Sequence, residues 1–405
     1  MDAEKLRQDF PILQQKQPPV YFDNACTTFK PKSVIDAVNA YNTVYPACAG
    51  RSLHKLSAKV DSEFSLARDK VAKFVGAKPE EIVWTKNTTE AINLVAHSLD
   101  YSKRKKVVMT NLEHHALILP FSRMAQKGLV QVGYAMADGK TFEIPDSEWE
   151  NKIDDKTALV AVHHTNNTLG TSTNLKKIIE IAHGKGALVL VDAAQGVPHH
   201  KIDFKGMGAD FLAFSGHKML GPTGIGCLAG KYSELEKLDT FILGGETIET
   251  ATLDGFVLKK PPKKFEAGIQ NYAGAIGLGA ACDYLSKVGM QNIGAHEKTV
   301  CKRIFDAMKS MDKIQIYGPE EFDGRAGNIV FNVKGAKSPH EVAITLSEMS
   351  GVCVRSGMFC AQPATEFLGA PKGAVRLSLY LYNTAAEADK FVEALQKAVA
   401  ILSQS

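Results

Sequence analysis

Between residues 82 and 228, short apolar runs rich in Val, Ile and Phe alternate with longer segments of helical period, and this alternation constrains the fold of the chain more than any other feature. An apolar run that ends before polar alternation sets in reads as a strand buried on both faces. Strands separated by helices imply a mainly parallel α/β sheet covered by those helices. The runs predict strands at Ile82–Thr85, Val107–Thr110, Val130–Tyr134, Leu159–His163, Leu188–Asp192, Phe211–Phe214 and Ile225–Leu228, with helices at Thr89–Leu99, Ala116–Gln126 and Leu175–His183. In such a sheet, chemistry gathers where strands end and helices begin.

From Leu235 to Ala267 the pattern loosens around Gly244-Gly245 and the run Lys259 to Lys264, which reads as loop. A long helix is expected to begin near Tyr272. Strands at Ile314–Tyr317, Ile329–Val333, Val352–Arg355 and Val375–Leu379, with helices at Pro339–Met349 and Ala385–Ile401, then predict a smaller α+β lobe. A chain of 405 residues is long enough for two or three such lobes.

Composition excludes several function classes. A formal charge of +4 gives no reason to invoke nucleic acid or an acidic membrane surface, and the basic run Lys103 to Lys106 reads as a solvated turn. The opening MDAEKLRQDF carries acidic residues and lacks an apolar signal region, and no run approaches the ~20 apolar residues of a membrane span. The cysteines, seven in number, contain no CxxC pair, so neither a disulfide framework nor a zinc ribbon is expected. The cysteine usage and this opening lead to the expectation of a cytoplasmic protein. His pairs recur at His114-His115, His163-His164 and His199-His200. Neighbouring residues on a strand point to opposite faces, so no metal site is expected from them.

The stretch from Val189 to Gly226 carries the most chemistry. One buried strand ends in Asp192, and a second ends in Ser215, Gly216, His217 and Lys218, so a carboxylate and an amine leave neighbouring strand ends toward one small ligand. Taken singly, a Lys after a strand is usually solvated and an Asp there usually caps a helix. Gly216, Gly221, Gly224 and Gly226 change that balance, because they let backbone approach a ligand closely.

DAAQ followed by FSGHKMLGPTGIG resembles the pyridoxal-phosphate (PLP) site of class V aminotransferases, especially the cysteine desulfurase and selenocysteine lyase branch with a short cysteine loop. The resemblance runs from YFDNACTTFKP near Tyr21 to RLSLYLYNT ending at Thr384. It implies the PLP-dependent transferase fold type I, with a large domain on a mainly parallel, mixed seven-stranded sheet and a smaller α+β domain. The expected division is an N-terminal arm at 1–20 that belongs to the small lobe, a PLP-binding domain at 21–270, and a linking helix with the small domain at 271–405.

The likeness also assigns residues. Lys218 would be the Schiff-base lysine, Asp192 would hold the pyridine nitrogen protonated, and Gln195 would lie near the phenolic oxygen. Thr88 and Thr89 in KNTTEAINLVA sit at a helix start suited to a phosphate, with Ser215 and His217 as further donors. His114 stands where the family stacks an imidazole on the ring, and Asn167 where it makes a cofactor or substrate contact. In VRSGMFCAQP, Cys360 would be the nucleophile that takes sulfur from cysteine as a persulfide and releases alanine. Arg355 and His54 would supply a cationic setting and substrate contacts, and Arg376 would grip the substrate carboxylate.

The chain departs from the family pattern at several positions. Phe359 replaces a histidine common before the cysteine, Ile269 in FEAGI replaces a threonine that reaches the phosphate of a neighbouring subunit, and Gly50 replaces a first histidine, although Arg51 and His54 remain. Cys26 and Cys48 are unexpected, and packing is the favoured reading over extra thiols near the site. The expectation is a homodimeric cysteine desulfurase acting on L-cysteine or selenocysteine and passing sulfur to an acceptor protein. Iron–sulfur assembly, tRNA modification and cofactor synthesis are equivalent destinations at this level. Transamination, epimerisation or another C–S lyase reaction on the same cofactor is the alternative, and a non-catalytic scaffold is a third reading.

Overall fold

The computed structural model describes residues 1–50, 52–322 and 324–402. After helix Ala3–Arg7 and strand β1 (Val20–Tyr21), the main sheet is built from β2 (Ile82–Thr85), β3 (Lys106–Thr110), β4 (Gln131–Ala135), β5 (Thr157–His163), β6 (Leu188–Asp192), β7 (Phe211–Ser215) and β8 (Gly226–Gly230). Its order is β2-β8-β7-β6-β5-β3-β4. Strand β8 runs antiparallel to β2 and β7, and the remaining pairs are parallel, so the sheet is mixed and mainly parallel as expected.

Alternation within these strands builds two cores. Val160, Val162, Val189 and Val191 join Val71, Ile178 and Leu278 on one face. Leu159, Ala161, Leu190 and Phe211 join Ile92, Leu117 and Phe121 on the other. Successive side chains on a strand point to opposite faces, so one continuous apolar run serves both helical layers. Helices Lys32–Val44 and Lys55–Val75, not among those expected from sequence, pack on helix Tyr272–Val288. Gly277 permits that approach, because a Cβ there would come within 2.7 Å of Val38 and 2.6 Å of Pro222.

The loop expected between the two lobes needs correction. The stretch read as loop from Leu235 holds the end of helix Tyr232–Lys237 and a hairpin, β9 (Ile248–Ala251) with β10 (Phe256–Leu258). Its side chains are largely exposed within the chain, so the hairpin lacks the buried periodicity that marks a core strand. The long helix expected near Tyr272 begins there and runs to Val288, and past Gly289 (φ 89°) a second helix spans Met290–Lys309.

The smaller lobe contains β11 (Ile314–Tyr317), β12 (Asn328–Val333), β13 (Val352–Cys353), β14 (Arg355–Gly357) and β15 (Ala374–Ser378). Four of these form an antiparallel sheet in the order β11-β12-β15-β14. The expected strand Val352–Arg355 is therefore divided: β13 pairs with β1 of the N-terminal arm, while β14 pairs with β15. Phe331, Leu377, Leu346 and Phe391 centre this lobe's core. The arm is fastened by Arg7 to Glu387 at 2.8 Å and by Phe10 edge-on to Tyr382. No described helix is long and apolar enough to cross a membrane.

Candidate active site

Strands β5, β6 and β7 deliver their last residues to one edge of the main sheet. His163 and Asp192 are register partners at the ends of β5 and β6, and β7 runs directly into a tight turn, Gly216–Lys218. Helix Thr88–Ser98 begins beside them, capped by the Asn87 side chain, which accepts from the Glu90 N–H at 3.0 Å. Gly226 makes this closeness feasible, since a Cβ there would lie 2.7 Å from both Asn87 Cα and the Phe214 carbonyl oxygen. As a result, Thr88 N–H donates to Ser215 Oγ at 2.8 Å and the two hydroxyls share a 2.6 Å hydrogen bond. These elements and the small lobe enclose a cavity of about 220 Å³.

Asp192 is buried and Lys218 half-buried on its wall. Burial, with Arg376 adding to it, holds the Lys218 amine below its ordinary pKa against the opposing pull of Asp192. Burial likewise raises the Asp192 carboxyl, although Oδ1 accepts from the Ala194 N–H at 2.9 Å and Lys218 acts the other way. An amine that loses its proton readily, facing a buried carboxylate that seeks a positive partner, is a donor set that fits PLP. The amine can condense with an aldehyde, and the carboxylate can keep a ring nitrogen protonated.

The rest of the large-lobe wall is rigidly held. His114 caps helix His115–Gln126, its Nδ1 accepting from the Ala116 N–H at 3.0 Å, which leaves Nε2 to carry the proton. Burial, then Lys218, pushes its pKa down to about 3, so the ring is neutral. His217 is lowered to about 4 by burial and the adjacent lysines. Gln195 donates from Nε2 to the Ala25 carbonyl at 2.8 Å.

The small lobe contributes cations and a thiol. Arg355 on β14 and Arg376 on β15 are direct cross-strand partners, an unfavourable placement of like charges unless an anion is shared between them. Arg376 is buried, donates from Nη1 to the Asn167 carbonyl at 2.9 Å and from Nη2 to Asp23 at 3.3 Å, yet its Nε is buried without a partner. An orphaned cationic donor on a cavity wall suits a carboxylate.

Cys360 is exposed on the same wall. Phe359 and Cys360 both adopt left-handed backbone, with φ 53° and 54°, which costs about 1–3 kcal/mol per non-glycine residue. Asn167 Nδ2 holds the Phe359 carbonyl at 2.9 Å, and His115 N–H holds that of Cys360 at 2.7 Å. Phe359 is buried, with the Arg376 guanidinium 5.1 Å from its ring centroid. Where the family's histidine would offer a proton, this chain has a platform that steadies Arg376.

All the site residues expected from sequence line this cavity except His54. His54 instead caps helix Lys55–Val75, its Nδ1 accepting from the Ser57 N–H at 3.2 Å. Gly50 lies beside a separate pocket, Ile269 is exposed, and Arg51 falls outside the described residues. Cys26 and Cys48 are exposed rather than packed, and Cys26 lines the active-site cavity. Sequence reasoning missed Glu113. This fully buried carboxylate accepts from His163 Nδ1 at 2.8 Å, the His163 backbone N–H at 3.1 Å and Thr110 Oγ1 at 2.7 Å. Burial opposes charge on His163, but Glu113 and Asp192 outweigh it and raise the imidazole pKa.

A mixed, mainly parallel seven-stranded sheet of this order is the architecture of PLP fold type I. The chain belongs to the class V aminotransferase family, whose model matches residues 20–391. A probable cysteine desulfurase from Halalkalibacterium halodurans is 41% identical, covering 98% of each chain. The cysteine desulfurase of Haloferax volcanii is 38% identical over 98% of this chain and 97% of its own. Among solved structures, apo cysteine desulfurase from Thermococcus onnurineus superposes with a TM-score of 0.93 at 38% identity, covering 98% of each chain. The Escherichia coli cysteine desulfurase CsdA gives 0.91 at 30% identity, covering 99% of each chain.

Proposed function

We propose that this chain is a cytoplasmic, PLP-dependent cysteine desulfurase that converts L-cysteine to L-alanine and takes the sulfur as a persulfide on Cys360. PLP would be held by Lys218 through its amine, by Asp192 at the ring nitrogen, by His114 and Gln195 beside the ring, and by Thr88, Thr89, Ser215 and His217 at the phosphate. When bound, the cofactor supplies an electron sink for bonds broken next to an amino group. Arg376 orients the substrate carboxylate through its free Nε–H, with Arg355 opposite and Asn167 bracing both Arg376 and the cysteine loop. The Lys218 amine, held below its ordinary pKa, removes the proton at substrate Cα and returns protons at Cβ and then at Cα. Cys360 attacks the substrate sulfur, forming an S–S bond as the Cβ–S bond breaks.

The observation that supports this reading most is that one cavity joins Lys218 and Asp192 of the large lobe to Cys360 and Arg376 of the small lobe. A second copy of the chain completes the enzyme in this proposal: Phe256, Val257 and Ile269 are exposed large hydrophobics, suited to burial in a homodimer. An acceptor protein would then collect the sulfur. The test is alanine and persulfide formation from cysteine by holoenzyme, expected in the parent and abolished in Cys360→Ser. Equal alanine formation by the two proteins would overturn the role of Cys360.

A further inference from the structure

The active-site cavity carries a second thiol. Cys26 lines it together with Cys360, and both side chains are exposed, whereas the cysteines that pack, Cys227, Cys282 and Cys301, are buried. Its turn is firmly placed: Cys26 N–H donates to the Asp23 carbonyl at 3.1 Å, Ala25 N–H to Ser378 Oγ at 2.9 Å, and Asn24 Nδ2 to the Ser378 carbonyl at 2.9 Å. Gln195 reaches the Ala25 carbonyl from the opposite side at 2.8 Å. The backbone that carries the thiol is therefore held between the Gln195 segment and the strand that carries Arg376.

Chemistry at this position favours a reactive sulfur. Cys26 lies close enough to Lys218 and Arg376 for its charge to be felt at both, and Cys360 is felt at the same Lys218 amine. Both thiols are therefore near the amine at the centre of the site. The cavity is small, about 220 Å³, and both thiols are on its wall.

We propose that Cys26 is a second sulfur-accepting residue, which regenerates Cys360 by thiol–persulfide exchange within the cavity. The inference rests on the desulfurase reading above. In the exchange, the Cys26 thiolate attacks the outer sulfur of the Cys360 persulfide. A new S–S bond forms at Cys26, the S–S bond at Cys360 breaks, and Cys360 leaves with the electron pair as a thiolate. The proton given up by Cys26 ends on Cys360. One S–S bond replaces another, so the step needs neither oxidant nor reductant. Each chain then stores a second sulfur before any acceptor arrives.

The experiment uses holoenzyme with a small excess of cysteine and no added reductant, followed by alkylation, peptide mass spectrometry and alanine counting. The expected result is sulfane sulfur on both the Cys26 and Cys360 peptides, with about two alanines per chain in the parent and about one in Cys26→Ala or Cys26→Ser. Cys360→Ser should leave the Cys26 peptide unmodified. An unmodified Cys26 peptide in parent enzyme whose Cys360 carries sulfur would overturn the proposal, and so would a Cys26 persulfide that survives in Cys360→Ser. Sulfur on neither peptide would instead refute the desulfurase reading and this inference with it.

Discussion

Replacing Arg376 with alanine should damage recognition of the substrate carboxylate more than any other single change in the small lobe. The Arg376 Nε–H is buried and unpartnered, while its Nη groups are already engaged by Asn167 and Asp23. A charge-assisted hydrogen bond contributes about 1.5–3 kcal/mol, and a carboxylate on the free edge of the guanidinium would gain at least one strong bond and part of a second. Arg355 remains across the strand pair and recovers some of this. A net loss of about 3 kcal/mol predicts a roughly 100-fold fall in kcat/KM for cysteine. Arg376→Lys keeps the charge but loses the planar fork, so a fall of about tenfold is expected.

The assay is initial-rate alanine formation across cysteine concentrations, with circular dichroism to confirm folding. Cysteamine, which lacks the carboxylate, serves as the control probe, and its binding should weaken little in Arg376→Ala. A kcat/KM for cysteine within about threefold of the parent would refute the reasoning. An equal loss for cysteamine and cysteine would reduce Arg376 to a structural role.

Glu113→Gln leaves the buried His163 imidazole without its carboxylate, and breaking such a pair from one side costs about 3–5 kcal/mol, measurable as a lower urea midpoint. An unchanged midpoint would show that the pair is dispensable. Acid should destabilise the fold through His114 and His200, which burial above all holds to pKa values of about 3. The unfolded chain takes up a proton at each near pH 6.5 and the native chain does not, so stability is lost as pH falls below 6.5, by about 1.4 kcal/mol per pH unit for each group. His163 has the opposite sign: its raised pKa contributes stability that is fully present in acid and lost on the alkaline side. Urea unfolding between pH 6 and 5 should show a shallower slope in His200→Gln, and an unaltered slope would contradict the assignment. Gly226→Val should push helix Thr88–Ser98 off β7 and weaken cofactor retention, read by equilibrium dialysis; undiminished retention would rule out the close-approach argument.

Much of the sheet was legible because its central strands are almost wholly buried and bounded by turns. Strands β2 and β6 have the expected ends, and β5, β7 and β8 differ by no more than two residues. The hairpin β9–β10 escaped because its side chains face outward, although Asp254-Gly255 at its tip is a turn signal. The division of Val352–Arg355 was hidden because the two halves pair with different sheets, a tertiary choice that a short apolar run does not encode. Lys218 and Asp192 could be read from strand ends, whereas Glu113 could not. Its partner lies 50 residues away, and no local spacing marks a carboxylate that meets a histidine across strands. His54 was read as a cationic group near the site, and within the chain it caps a helix, a role for which a histidine side chain is equally suited.

The most direct measurement concerns where the cofactor attaches. Holoenzyme reconstituted with pyridoxal phosphate, reduced with borohydride and digested, should yield one pyridoxyl peptide, modified at Lys218, and Asp192→Ala should bind the cofactor more weakly without moving the label. A pyridoxyl group on another lysine, or none on any, would contradict the account at its foundation.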